Sequence, residues 1–528
     1  MNMRGVKLLL VFLVIALLSP VPGMSQGKKI YFQADLLEYD EDLLPGVEQY
    51  TGNVVFRHGK TIGYCTRAEH YRNENRLIAY GNPVRVQIND SVTLYGQRVF
   101  YDGEARTVSI SRKVRLVDKS AALYTDSMTY DLDEEMGYYL VGGRMVSDSN
   151  VLTSHLGYYY TQEKMAYLRD SVHFVNETYT GDCDNASFNT QTEVIYFTSR
   201  THMFSDESEA FTDGGWYDTQ QEIVLLVGNA ELHNREQELS GDSLYFENNS
   251  GFGQGWYNVR LEDSVKNFIV QGHYLEYKDE DYAIVTDSSL LILVDKDDSL
   301  FLHADTLYVV FDSTQHPQQL FAYNHVKFFR QDMQGACDSM TYHVEDSLIT
   351  MYFNPVVWSG ENQLTADTIR FHIVDSLNVH VHLRRSAFVA SSLYDETEFN
   401  QVKGLNIMGY IHDRKLSKVE VMGNAECLYF VQEEDSSLIG VNSVMTSEMA
   451  ITLDNNEIQY ISFYNAPDGK LYPDQELDSQ DRRLKNFRWL RIYRPDEVRD
   501  IFTMPVVRMR EEESGLSPDV DGQSGPEK

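Results

Sequence analysis

Aspartates recur along this chain in one phase, and a column of carboxylates is a candidate for metal or acid–base chemistry. Asp126-Ser127-Met128-Thr129-Tyr130 returns as Asp242-Ser243-Leu244-Tyr245-Phe246, Asp338-Ser339-Met340-Thr341-Tyr342 and Asp367-Thr368-Ile369-Arg370-Phe371. Looser copies begin at Asp35, Asp184, Asp213 and Asp305, whereas Gln97, His155 and His273 hold the phase without the acid. Stacked carboxylates are what a calcium ladder needs. The column is interrupted, however, and lacks the glycine-rich nonapeptide of calcium-binding β-rolls. It therefore reads as turn-amide acceptors or a solvated rim. Asp-Ser/Thr-aliphatic also matches a bacterial O-glycosylation triplet, but the repeat already accounts for it. His380-Val381-His382 puts two imidazoles on one strand face without a third ligand, so neither metal nor other cofactor is expected. Gly251-Phe252-Gly253-Gln254-Gly255 reads as a turn, because no strand-to-helix context surrounds it. With no nucleophile elbow, zinc-protease helix or P-loop, no enzymatic activity is expected. A carbohydrate-active β-helix would need a cleft of paired carboxylates, which so acidic a sequence leaves open.

The elements that carry these residues are set by the period. Anchors at 97, 126, 155, 184, 213 and 242 are each 29 residues apart. A period of that length marks an array of one supersecondary unit whose copies bury apolar surface against their neighbours. In the Asp phrase, positions 0, +2 and +4 share a strand face, and the last two are apolar or aromatic. The other half of the repeat reads Gly-Asn-Val-x-Phe, as in Tyr50-Thr51-Gly52-Asn53-Val54-Val55-Phe56, Gly81-Asn82-Pro83-Val84 and Gly423-Asn424-Ala425. Val84, Val86 and Ile88 alternate with Arg85 and Gln87, a half-buried strand. Arg85, Arg115, His173, Arg260 and Lys327 share one outward phase and are expected to pair with nearby carboxylates. Turn formers at Asp131 to Gly137, Glu247 to Gly255 and Lys278 to Asp281 separate the halves. No amphipathic helix is expected between Lys28 and about Pro473. The reading is two facing sheets over about fourteen repeats, each repeat giving a strand to each sheet.

The chain of 528 residues carries a formal charge of −35, which argues against nucleic acid as a partner. Tyrosine is abundant, 35 against 4 Trp, and favours strands. Arg4 and Lys7, then Leu8 to Leu18 and Gly23-Met24-Ser25, read as an export signal over 1–25. No cysteine follows that apolar core, so a lipid anchor is not expected. Cys65, Cys183, Cys337 and Cys427 read as free, buried, structural thiols. The array is placed at 26–474, with a possible break at a polar insert near 391–404. Residues 475–507 form a charged extension that could carry a short helix and dock through Phe487, Trp489, Leu490 and Ile492. Residues 508–528 read as a disordered tail.

The phrase Tyr50 to Phe56, alternating with Ala34-Asp35-Leu36-Leu37-Glu38-Tyr39 and echoed at Ala79 to Val84, resembles the organic-solvent-tolerance (OstA/LptA-like) family. The resemblance runs from about Ile30 to Tyr472. It implies an all-β fold, an elongated, twisted, V-shaped β-jelly roll whose apolar interior conducts the acyl chains of lipid A. It further implies a periplasmic, passive role in lipopolysaccharide transport to the outer membrane. The implied partners are lipopolysaccharide and other transport proteins joined by end-to-end strand addition, with peripheral outer-membrane contact possible. The chain is longer than the small bridge protein of that family and lacks the evident C-terminal barrel of the translocon. Candidate lipid-lining residues are Leu37, Tyr39, Val54, Phe56, Val84, Val86, Val99, Tyr101, Val114, Leu116, Met128 and Tyr130. Two other readings stand beside this one: a structural or adhesive repeat protein with a closed core, and an outer-membrane translocon relative.

Overall fold

The computed structural model describes residues 29–503 and 505, with short breaks at 43, 297, 315, 376, 394–395, 414, 433–437, 455–456, 474–477 and 479–480. The expected export signal and the tail 508–528 lie outside the described residues. The chain divides into two units, Met1–Ser205 with Gly214–Gln220, and Asp206–Asp213 with Gln221–Lys528. Residues 391–404 fall at and around the hairpin joining Val379–Leu393 to Glu398–His412 rather than at that division.

In both units the strands run antiparallel, each paired to the one before and the one after. Val47–His58 pairs with Thr61–Tyr71, which pairs with Arg76–Gln87, and so on through Thr93–Asp102, Thr107–Val117 and Ala122–Asp131. The 29-residue repeat is thus two strands joined by hairpins. Each strand is broken at its middle. The register jumps from Thr51 to Val54, from Ser111 to Val114, from Arg169 to Val172 and from Val227 to Ala230. At these jumps two successive residues take positive φ: Gly52 and Asn53, Arg112 and Lys113, Asp170 and Ser171, Gly228 and Asn229. The same device returns in the second unit at Tyr257-Asn258, Asn324-His325, Arg385-Ser386 and Gly423-Asn424. Left-handed backbone costs a non-glycine residue about 1 kcal/mol, which explains why Gly-Asn recurs there. Each Gly-Asn phrase is therefore a crease: an inserted bulge that bends the strand sharply.

The creases fold each unit's sheet lengthwise into two leaves, an arrangement compatible with a β-jelly roll. A flat strand of eleven residues would hold its ends about 35 Å apart. In the first unit, side chains from opposite strand ends nevertheless touch, as in Tyr159 Oη to Asp118 Oδ2 at 2.9 Å. Each strand thus contributes half its length to each leaf, rather than a whole strand to one sheet.

The aspartate column lies along the crease. Asn53 Nδ2 donates to Asp35 at 2.8 Å, Asn229 Nδ2 to Asp213 at 2.6 Å and Asn258 Nδ2 to Asp242 at 3.0 Å. His325 pairs with Asp305 at 3.0 Å. Its acids accept from the bulge side chains of the adjoining strand rather than chiefly from turn amides. Among the described residues no three His, Cys, Asp or Glu side chains gather as a metal site. Cys65, Cys183, Cys337 and Cys427 are buried free thiols.

Three local expectations are corrected. Gly251 is a turn residue, but Gly253 and Gly255 lie inside the strand Phe252–Asp263, because their missing side chains leave room over Phe246 and Leu244. Among the described residues Arg85 and Arg115 find no acid; they stack on Tyr64 and Tyr95. His173 and Arg260 do find acids, Asp182 and Glu262. Lys327 is buried, and burial holds its pKa below the usual lysine value.

After the last strands the chain returns over the outer face of the second unit. Three buried glutamines hold it there, at matching places on their strands. Gln401 donates to Arg482 O and accepts from Leu484 N, at 2.9 and 2.8 Å. Gln363 donates to Arg488 O and accepts from Leu490 N, at 2.8 and 2.7 Å. Gln334 accepts from Arg494 Nε at 2.8 Å. Between these clamps Leu484, Phe487 and Trp489 pack on Phe388, Ala390 and Phe399, and Leu490 and Tyr493 pack on Trp358. Ile492 is not part of the docking face; it is 68% exposed, because its turn points it away from the sheet. The only α-helix described in this segment is one turn, Asp500–Thr503.

Candidate lipid-binding interior

The apolar positions of both leaves point into the fold. Of the twelve residues singled out in the sequence, ten are packed there: Val54, Phe56, Val84, Val86, Val99, Tyr101, Val114, Leu116, Met128 and Tyr130 are each 2% exposed or less. Leu37 and Tyr39 sit instead on the short first edge strand, Leu36–Tyr39, about half exposed.

The first unit fills its own interior. A Cβ added at Gly63 would lie 1.9 Å from the Phe56 ring, and one at Gly181 2.1 Å from Phe174. Gly157 and Gly143 are covered in the same way by Tyr139. The mouth, where the free margins of the two leaves meet, is held by polar bonds. Tyr101, Tyr130, Tyr159 and Tyr217 stand in one 29-residue phase; Tyr101, Tyr159 and Tyr217 reach across to the opposite margin, whereas Tyr130 Oη meets Thr161 Oγ1 on its own margin at 2.7 Å. His58 Nδ1 meets Tyr101 Oη at 2.5 Å, and Asn176 Nδ2 donates to Tyr217 Oη at 3.0 Å. Lys164 Nζ lies 2.5 Å from Asp118 Oδ2, whose side chain is fully buried. Glu193 accepts from Ser147 Oγ at 2.5 Å and from Asn150 Nδ2 at 2.8 Å.

Burial pushes the Glu193 carboxyl above its usual range, against the lowering pull of Ser147 and Asn150. The geometry agrees, because Ser147 has one proton and also faces Ser120 O at 2.8 Å. A protonated Glu193 donates to Ser147 and frees that proton for Ser120. A raised folded pKa means stability is fully present below the ordinary value of 4.5 and is lost as pH rises through the folded value. Glu193→Gln supplies the same donor at every pH. Urea unfolding should therefore show the two proteins alike near pH 4.5, with the variant gaining relative stability as pH rises to 7.5. A difference that stays constant across that range would refute this.

The second unit begins differently. From about 232 to 293 the inward apolar residues Leu239, Leu261, Val270, Tyr277 and Leu291 are only half-buried, with Val259, Leu275 and Val285 the small buried cluster among them. Interior glycines here are covered less closely by rings, Gly253 facing the edge of Phe246 and Gly272 lying under Val285. An added Cβ would stand 3.4 Å from its nearest neighbour at Gly241 and 3.1 Å at Gly253 and Gly255. Polar bonds at this stretch's ends run along one margin rather than across the mouth, as in Gln237 to Asp263 and Lys278 to Ser250. Further on, Leu302 to Ile451 close into a large buried cluster. The sequence-based list missed this open stretch. The signal available was the glycine density at 241–272, set against an unchanged alternation.

Residues 27–184 match the family described as OstA-like protein, and residues 294–376 the one described as LptA/(LptD N-terminal domain) LPS transport protein. The open stretch lies between the two matches. No curated protein matches the chain. Among solved structures, LptH, the LptA-homologous periplasmic component of the lipopolysaccharide transport device of Pseudomonas aeruginosa, aligns at 20% identity with a TM-score of 0.19. The alignment covers 21% of this chain and 80% of that one. Its creased antiparallel strands and apolar interior thus accompany two segments, 27–184 and 294–376, that are OstA/LptA-like.

Proposed function

We propose that this protein binds the acyl chains of lipopolysaccharide inside its folded sheet and passes them toward the outer membrane as a passive conduit, with no covalent chemistry. The observation that carries this is the open stretch from 232 to 293, where the buried core thins to a small cluster and Leu239, Leu261 and Val270 are left only partly buried on an inner face. Each acyl methylene buried there is worth about 0.8 kcal/mol, so a lipid with several chains is held firmly while its sugars remain at the mouth. Export to the periplasm fits this role, and no described helix is long and apolar enough to cross a membrane.

Partner proteins are expected to add strands at the two ends. Tyr31–Gln33 and Leu36–Tyr39 pair with Val47–His58, and at the other end Glu457–Tyr464 pairs with Leu438–Asp454. Tyr31 is 70% exposed and Tyr460 72%. Open edges carrying apolar side chains suit strand addition.

The test is a photo-crosslinking residue at Leu261, with Tyr196 on the outer face as control. Lipopolysaccharide should attach at position 261 and not at 196. Equal labelling at both, or none at either, would sink the proposal.

A further inference from the structure

The outer face of one leaf of the first unit carries an alternating column. Tyr64, Arg85, Tyr95, Arg115, Tyr124 and Arg144 stand on six successive strands, each directly opposite the next in register. Their sequence neighbours Val84, Val86, Leu94, Val114, Leu116, Leu123 and Met145 are buried, so these six point outward. The guanidinium carbons lie 5.3 Å from the Tyr64 ring (Arg85), 4.7 Å from Tyr95 (Arg115) and 6.0 Å from Tyr124 (Arg144). Stacking on a ring holds the guanidinium in place and leaves its donor edge free for a planar anion.

Two facts set this strip apart. The chain carries −35, yet among the described residues no carboxylate ion-pairs with Arg85, Arg115 or Arg144. Arg85 donates instead to the neutral Gln87 Oε1, at 3.5 Å. The strip also opens onto a cleft of about 670 Å³ lined by Tyr95, Lys113, Arg115, Tyr124, Asp126 and Arg144, with a single acid among its cations.

We infer that this strip binds a linear anionic polysaccharide bearing about one charge per two sugars. Strands stand ~4.8 Å apart, so arginines on alternate strands recur at roughly 10 Å along about 24 Å of sheet. That interval is close to the length of two linked sugar rings. Each guanidinium takes a carboxylate, sulfate or phosphate in bidentate fashion, and the intervening tyrosines meet the uncharged sugars. The rest of the surface repels a polyanion, which confines it to this strip and fixes its register. A single phosphate would need only one arginine, whereas a repeating ladder suits a repeating ligand. The strip faces away from the interior, so this proposal stands apart from the lipid reading.

The probe is a hyaluronan octasaccharide, with one carboxylate per disaccharide, titrated calorimetrically into the full chain at low salt. Wild-type protein should bind it, and Arg85→Gln/Arg115→Gln/Arg144→Gln should weaken binding at least tenfold with an unchanged melting temperature. The matching triple lysine variant, which keeps the charge and loses the planar fork, should fall between the two. Lipopolysaccharide crosslinking at position 261 should be the same in all three proteins. The inference is overturned if the octasaccharide does not bind, or if the glutamine variant binds it equally. Displacement of the octasaccharide by an equimolar amount of inorganic phosphate would show a point site for one anion instead. Binding of phosphatidylglycerol vesicles without the octasaccharide would assign the strip to a membrane surface.

Discussion

Leu261→Lys combined with Val270→Asp should yield a folded protein whose uptake of lipopolysaccharide falls roughly a hundredfold. The two residues are direct cross-strand partners on the inner face of the open stretch, and both are half-buried. Placed opposite one another, a lysine and an aspartate attract, and such pairs support a sheet rather than break it. Since the positions already meet solvent, the charges do not suffer the desolvation that a sealed core would impose. An acyl chain crossing them, however, loses apolar contact with two side chains, each worth about 1.5 kcal/mol or more. Every 1.4 kcal/mol is a factor of ten in affinity, which gives the expected hundredfold. A fluorescent lipopolysaccharide titration measures it, with circular dichroism and thermal melting as the check on folding. Undiminished binding by a folded double variant would mean the lipid does not travel through this stretch. The same double change at Val84 and Val86, which are 0% exposed, should instead prevent folding.

That contrast marks where sequence reading succeeds and where it stops. The period was legible because one crease per strand demands the same residues at the same spacing, and Gly-Asn supplies left-handed backbone cheaply. The inward alternation was legible for the same reason: Val54, Phe56, Val84 and Val86 could lie nowhere but inside. What alternation cannot tell is whether the opposite leaf comes close enough to fill the space. Leu261 and Leu116 occupy equivalent strand positions, yet one is only partly buried and the other sealed. Part of the difference lies in cross-strand rings: Phe56 lies over its partner Gly63 and Tyr139 over Gly157 in one unit, whereas only aliphatic groups approach Gly241 and Gly255 in the other. The bonds across the mouth were invisible for a related reason. Asp118 and Lys164 are separated by 46 residues, and their meeting depends on the fold closing first. Apolar residues at 487, 489 and 490 did announce a docking segment, but the glutamines that receive it resemble any surface glutamine until their burial is seen.

The mouth itself supplies the largest expected effect on stability. Lys164→Met should destabilise the first unit by about 3 kcal/mol, because it strands a buried carboxylate. Asp118 has a fully buried side chain, whereas Lys164 is 22% exposed, which places the loss at the lower end for broken buried pairs. The carboxylate keeps Tyr159 Oη at 2.9 Å and the Lys119 amide at 2.5 Å, so its hydrogen bonds survive while its charge goes uncompensated. Adding Asp118→Asn should therefore recover most of the loss. The new amide can donate to Tyr159, whose hydroxyl then turns to Thr190 Oγ1, already 3.1 Å away. The order of stabilities expected from urea unfolding is wild type, then the double variant, then Lys164→Met alone. If the double variant is no more stable than the single, the lysine acts by packing its stem and not by balancing charge. The same three proteins also test the mouth. With the ion pair gone and the charge removed, the margins are held only by neutral bonds, and amide exchange in 118–121 and 161–164 should quicken in the double variant although its overall stability is nearly restored.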